Sequence, residues 1–245
     1  MTHAANRDWT PHQPARQQAR DIVAADGRRY RIVVSTPEAP APVEGYPSIL
    51  VLDGVQHFAA MSDGASALSR RPQKTGVEPM VVIGVFHGDG QGLDADARSR
   101  DYTSVAPPSG ELVGKPFGGA DAFRRTLSDE VLPLVGDYVP LDPTRRTLFG
   151  HSLGGLFVLE ALVQQPDLFN RWVSISPSLW WRDDLRLEGG DALLLGIGEL
   201  EQRRDMVGRT KAFAEAARLL IAPNADHGSA PLALLPDALR HASGR

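Results

Sequence analysis

Gly150-His151-Ser152-Leu153-Gly154-Gly155 constrains this chain more than any other stretch. It fits the G-x-S-x-G pattern, in which a serine sits on a sharp turn between a strand and a helix. The flanks supply both elements. Arg146-Thr147-Leu148-Phe149 ahead of it suits a buried strand. Leu156-Phe157-Val158-Leu159-Glu160-Ala161-Leu162-Val163 behind it is a helix former that ends before Pro166. Small residues on both sides let strand and helix pass close together, and the turn pushes the serine Oγ out of the sheet, within reach of a substrate. A plain glycine-rich turn with an ordinary serine would not need that order of elements.

The rest of the chain alternates in the same way. Arg20-Asp21-Ile22-Val23-Ala24-Ala25 and Arg29-Tyr30-Arg31-Ile32-Val33-Val34-Ser35 flank Asp26-Gly27-Arg28, a β-hairpin signal. Ser48-Ile49-Leu50-Val51-Leu52 and Val81-Val82-Ile83-Gly84-Val85-Phe86 are apolar runs of the kind carried by strands covered on both faces. Val173-Ser174-Ile175-Ser176 and Ala192-Leu193-Leu194-Leu195-Gly196-Ile197 read as two later strands. Phe123, Leu127, Val131, Leu134 and Val135 fall at helical spacing within 121–138; residues 206–219 also read as helix, and 236–241 begin a closing one. Such alternation predicts an α/β fold: a mostly parallel central sheet, helices on both faces and an N-terminal antiparallel hairpin. A flexible lead-in, 1–16, precedes one domain over 17–245. Segment 88–119, with seven glycines and three prolines, reads as a long loop at the carboxyl edge of the sheet, where ligands bind.

Composition removes several function classes. A net charge of −4 offers nothing to nucleic acid or an anionic membrane. No stretch is long enough to cross a bilayer, and the first twenty residues lack the apolar run of a secretory signal. Cytoplasmic residence is the expectation. With no cysteine there is no disulfide framework and no thiolate nucleophile. No histidine or carboxylate cluster has metal-ligand spacing, so neither a metal nor a cofactor is called for.

A serine hydroxyl needs a base within hydrogen-bond reach and a third group to orient that base. Chains built around this turn carry the triad in the order serine, acid, histidine. Two histidines follow Ser152. His227 lies in Asn224-Ala225-Asp226-His227-Gly228-Ser229, a polar turn after the apolar Leu219-Leu220-Ile221-Ala222; His241 lies in a polar tail. His227 is therefore the expected base. His151 reads as a packing or hydrogen-bonding neighbour. The acid should follow the strand ending near Gly198, which points to Glu201, with Glu199 in reserve. The run from Lys211 to Ala217 has no turn residue before the next strand, so the last crossover looks cramped. The oxyanion needs two backbone donors. Leu153, next to the nucleophile, offers one. Val55, after the turn-forming Asp53-Gly54, is the candidate for the other, although that dipeptide also makes plain turns. Trp180 and Trp181 offer an aromatic wall or ordinary core packing. Arg98 and Arg100 offer forked bonds to an anion or a solvated charged loop.

Taken in order, these pieces resemble the α/β-hydrolase superfamily, and within it the siderophore (enterobactin and salmochelin) esterases. The resembling pieces are Tyr46-Pro47, Val51-Leu52-Asp53-Gly54, Arg100-Asp101-Tyr102-Thr103, Gly118-Gly119-Ala120, the turn at 150–155, Ser176-Pro177-Ser178-Leu179-Trp180-Trp181, Gly198-Glu199-Leu200-Glu201 and His227-Gly228-Ser229. In the related mycolyltransferases the residue after a matching Asp-Gly lends the oxyanion amide, which implies that role for Val55. The resemblance implies hydrolysis of serine ester bonds in a trilactone siderophore, iron-loaded or not, with release of iron inside the cell. Some relatives use a serine–histidine pair without an acid, which leaves Glu201 open. A broad carboxylesterase acting on small acyl esters and a non-catalytic ligand-binding homologue are the other readings.

Overall fold

A strand covered on both faces sends alternate side chains into two separate cores. β3 (Tyr46–Val51) does this: Leu50 packs in one apolar cluster, Ile49 and Val51 in the other. β4 (Val81–His87) repeats the pattern, with Val81, Ile83 and Val85 on one side and Val82 on the other. The computed structural model describes residues 14–107, 114–182, 184–187, 189–214 and 217–244. Most of the lead-in expected at 1–16 lies outside them.

β1 (Gln17–Val23) and β2 (Arg29–Ser35) form the hairpin; β5 (Leu141–His151), β6 (Arg171–Ile175), β7 (Leu193–Gly198) and β8 (Arg218–Ala222) follow β3 and β4. The eight strands lie in the order β1-β2-β4-β3-β5-β6-β7-β8. Pairs β1–β2 and β2–β4 are antiparallel, and every other pair is parallel. The helices are α1 (Gly54–Leu68), α2 (Pro72–Thr75), α3 (Ala95–Asp101), α4 (Ala120–Arg125), α5 (Leu132–Tyr138), α6 (Leu153–Gln164), α7 (Met206–Phe213), α8 (Ala230–Ala233) and α9 (Leu235–Ala242). Phe123 of α4, Val135 of α5 and Phe157 of α6 fill one core. Phe58 and Met61 of α1 meet Ala238 and Leu239 of α9 in the other. Fully burying such a side chain contributes about 1.5–3 kcal/mol. Among the described residues no helix is long and apolar enough to cross a membrane.

The chain departs from its sequence pattern in three places. Residues 121–138 do form one helical rod, but Thr126–Val131 is a π-helical turn. Pro133 stands just behind it, and a proline has no N–H to give and crowds the preceding turn; the wider turn takes up both defects. Residues 206–219 are not a single helix. α7 stops at Phe213, and Arg218 and Leu219 pair with Leu194 and Leu195 of β7. The alanine-rich stretch favours helix locally, and the open edge of β7 overrides that preference. Segment 88–119 is not all loop either. It contains α3, capped by Asp94, whose side chain accepts the Ala97 N–H at 2.9 Å.

Candidate active site

β5 runs through His151, and Ser152 turns the chain into α6 with φ 60° and ψ −119°. A non-glycine residue held there stores on the order of 1–3 kcal/mol. Its neighbours hold it in place. The Ser152 N–H donates to the Ile175 carbonyl at 3.1 Å, and the Ser152 carbonyl accepts from Leu156 at 3.0 Å and Ser178 at 3.0 Å. A Cβ on Gly150 would stand 2.2 Å from the Gly154 carbonyl oxygen, and one on Gly155 2.9 Å from that of Ile175. Both clashes are with main chain, which cannot swing aside. Gly150→Ala is therefore expected to lose about 3 kcal/mol or more in urea unfolding. Gly154→Ala should be nearly neutral, because its nearest new contact is an ordinary 3.5 Å. Equal stabilities of the two variants would contradict this account of the turn.

His227 reaches the same point from the loop after β8. Asp226 shapes that loop, its Oδ1 accepting from Gly228 N–H at 3.1 Å, Ser229 N–H at 2.9 Å and Ser229 Oγ at 2.7 Å. His227 Nε2 lies 3.0 Å from Ser152 Oγ, and its Nδ1 lies 2.6 Å from Glu201 Oε2. The carboxylate accepts from Nδ1–H, which leaves Nε2 free to accept the serine proton. Glu201 is buried; its Oε1 accepts from Ser176 Oγ at 2.6 Å and from the Gly198 N–H at 2.8 Å. Burial alone would raise the Glu201 carboxyl, but the hydrogen bonds from His227, Ser176 and Gly198 outweigh it and hold the group below its usual range. Gly198 makes room for the acid: a Cβ there would lie 2.9 Å from Glu201 Oε1. The His151 ring packs 4.5 Å from the His227 ring. Burial first, and the nearby His227 and His57 next, hold His151 well below the usual histidine range, so it stays neutral beside the site.

Val55 is the second residue of α1 and Leu153 the first of α6. The N–H groups at those positions have no intrahelical acceptor, and the helix dipole favours negative charge in front of them. Glu199 sits elsewhere, its Oε2 accepting the Asn224 N–H at 2.9 Å. His241 is not in a polar tail. It is buried on α9, with Nε2 2.9 Å from the Ala192 carbonyl.

A cavity of about 340 Å³ opens over the serine; Ser152, Trp180, Leu200, Arg203, Arg204 and His227 are among the residues that line it. The two tryptophans do not form one wall. Trp181 is buried, with Nε1 donating to the Val105 carbonyl at 3.0 Å. Only Trp180 of the pair lines the cavity, and the Arg204 guanidinium lies 3.6 Å over its ring. The arginines expected to meet an anion are turned onto internal carboxylates. Arg98 forks onto Asp53, at 2.6 Å and 2.8 Å. Arg100 Nε donates to the buried Asp101 at 2.9 Å. Sequence reasoning did not single out Arg203 and Arg204, or Ser176 as a partner of Glu201. Ser176 carried a signal, since it ends a strand just before Pro177. The arginines carried none, because a charged pair in a loop is usually solvated.

The family described as "Putative esterase" matches residues 24–220. The chain is 36% identical over 197 residues to ferri-bacillibactin esterase BesA of Bacillus subtilis, covering 72% of this chain and 68% of that protein. It is 34% identical over 185 residues to apo-salmochelin esterase of Escherichia coli O6:H1, covering 73% of this chain and 54% of that protein. The fold matches the crystal structure of BES protein from Bacillus cereus with a TM-score of 0.87 at 27% identity, over 96% of this chain and 97% of that one.

Proposed function

The chain belongs to the esterase family, within the α/β-hydrolase fold, and from that premise we propose that it is a serine hydrolase that opens the ester bonds of a catecholate trilactone siderophore. The observation that carries the reading is the unbroken run Ser152 Oγ–His227–Glu201, with links of 3.0 Å and 2.6 Å, at the floor of a cavity. Ser152 Oγ attacks the ester carbonyl carbon while His227 Nε2 takes its proton. The negative tetrahedral oxygen faces the N–H groups of Val55 and Leu153. Collapse breaks the bond to the leaving alcohol, which receives the proton from His227, and the acyl group stays on Ser152. A water then gives a proton to His227 and attacks the acyl carbon; the acid departs and Oγ regains its proton. Glu201 keeps the imidazole in the required tautomer and stabilises the imidazolium.

The choice of substrate draws on the relatives, one a ferri-bacillibactin esterase and another an apo-salmochelin esterase. Two features of this chain support it. Trp180 offers an aromatic face, and Arg203 and Arg204 bring positive charge to the same cavity. An anionic catechol ring meets both. The volume, about 340 Å³, suits one catechol arm rather than the whole trilactone. The test is a parallel screen of ferric and iron-free catecholate trilactones against simple p-nitrophenyl esters. A higher kcat/KM on trilactones is expected. Brisk turnover of simple esters with none of the trilactones would make this a broad carboxylesterase. No turnover at all, with no fluorophosphonate adduct on Ser152, would make it a binding protein.

A further inference from the structure

Asp53 occupies a left-handed backbone position, φ 52° and ψ 53°, just before α1, yet its side chain makes no capping bond to that helix. The carboxylate is buried and faces elsewhere. Its two oxygens accept from Arg98, Oδ1 from Nε at 2.6 Å and Oδ2 from Nη2 at 2.8 Å. The Asp53 N–H donates to Tyr102 Oη at 3.1 Å. Arg98 and Tyr102 lie one helical turn apart at the end of α3, the guanidinium 5.7 Å from the ring centroid. One short helix thus grips the residue two before Val55 by both side chain and main chain. The carboxylate also lies near the start of the other helix: a Cβ on Gly154, one residue beyond Leu153, would stand 3.5 Å from Oδ2. The segment that leads into Val55 is therefore fixed by a buried carboxylate–guanidinium pair and by the Tyr102 hydroxyl. Left alone, a buried carboxylate there would oppose the negative charge that forms on the substrate oxygen.

We infer that Arg98 is a positioning residue for the oxyanion hole: through Asp53 it fixes the segment that presents the Val55 amide and cancels the buried negative charge beside it. The inference rests on Ser152 being an esterase nucleophile. Its test compares the wild-type protein with Arg98→Met, Arg98→Lys and the double variant Asp53→Asn/Arg98→Met. The readouts are kcat and KM on a p-nitrophenyl ester and inhibition by a trifluoromethyl ketone, whose serine adduct carries an oxyanion. Arg98→Met is expected to lower kcat about 100-fold, the cost of a lost oxyanion donor, with KM little changed. Ketone affinity should fall in parallel. Arg98→Lys keeps the charge but not the fork, and should lose about tenfold. Should Arg98→Met fail to fold, the lysine variant decides by the same readouts. Asparagine tolerates the left-handed backbone, so the double variant should regain part of kcat by shedding the unpaired charge. Folded Arg98 variants with wild-type kcat and ketone affinity overturn the inference, as does a loss confined to KM. A wild-type protein that turns over no ester and takes no fluorophosphonate on Ser152 overturns the esterase reading, and this inference with it.

Discussion

Ser152→Ala is expected to lower kcat on the order of 10⁵-fold or more, with the fold intact. In the proposed mechanism the group removed is the one that forms the covalent bond. His227, Glu201 and the two helix N-termini remain, so whatever rate survives comes from binding and oxyanion contacts alone. The fold should not suffer, because the turn is held by main-chain bonds to Ile175, Leu156 and Ser178 rather than by the hydroxyl. Circular dichroism and urea unfolding check the second statement; turnover of the preferred ester checks the first. Mass spectrometry after fluorophosphonate treatment should find one adduct, on Ser152, and none in the alanine variant. An adduct elsewhere, or an active variant, assigns the nucleophile to another residue.

His227→Ala should fall to about the same rate as Ser152→Ala, and the double variant no lower than either. A base and the hydroxyl it activates act as one unit, so their losses do not add. The 3.0 Å contact between Nε2 and Oγ is the structural ground for that non-additivity. Glu201→Gln should lose less than His227→Ala, on the order of 10⁴-fold, since the acid fixes a tautomer and does not itself exchange a proton with the substrate. His241→Gln is the matched control. That ring packs beneath the sheet against the Ala192 carbonyl, so its replacement should change stability and leave kcat per folded molecule unaltered. If the His241 variant lost activity while the His227 variant kept it, the base would be the other histidine.

Local pattern carried much of this molecule. The strand–turn–helix around Ser152 was legible because the turn needs small residues at fixed offsets, and Gly150 and Gly155 both sit against main chain. The paired apolar runs at β3 and β4 were legible because burial on both faces leaves few polar positions in a strand. α1 was missed, hidden behind the Asp53-Gly54 turn signal, and α3 was hidden in a glycine-rich segment. The strand after α7 was legible in the apolar run 219–222, but the helix end at Phe213 was not, because no turn residue marks it. The run from Lys211 favours helix locally, and pairing of Arg218 and Leu219 with β7 decides where the strand begins.

By itself the sequence determined which residue types were available and in what order: a serine on a sharp turn, one histidine in a loop behind the last strand, two acids after the strand before it. These follow from short-range sterics and hydrophobic period, which act within a few residues. Tertiary structure alone decided what each charged group faces. It set Glu201, not Glu199, against His227, 26 positions away. It turned Arg98 inward onto Asp53, 45 positions away, and brought Arg204 over Trp180 in the cavity. The cause is the parallel sheet, which gathers the carboxyl ends of distant strands along one edge. Charges meet there by strand order rather than by nearness in sequence.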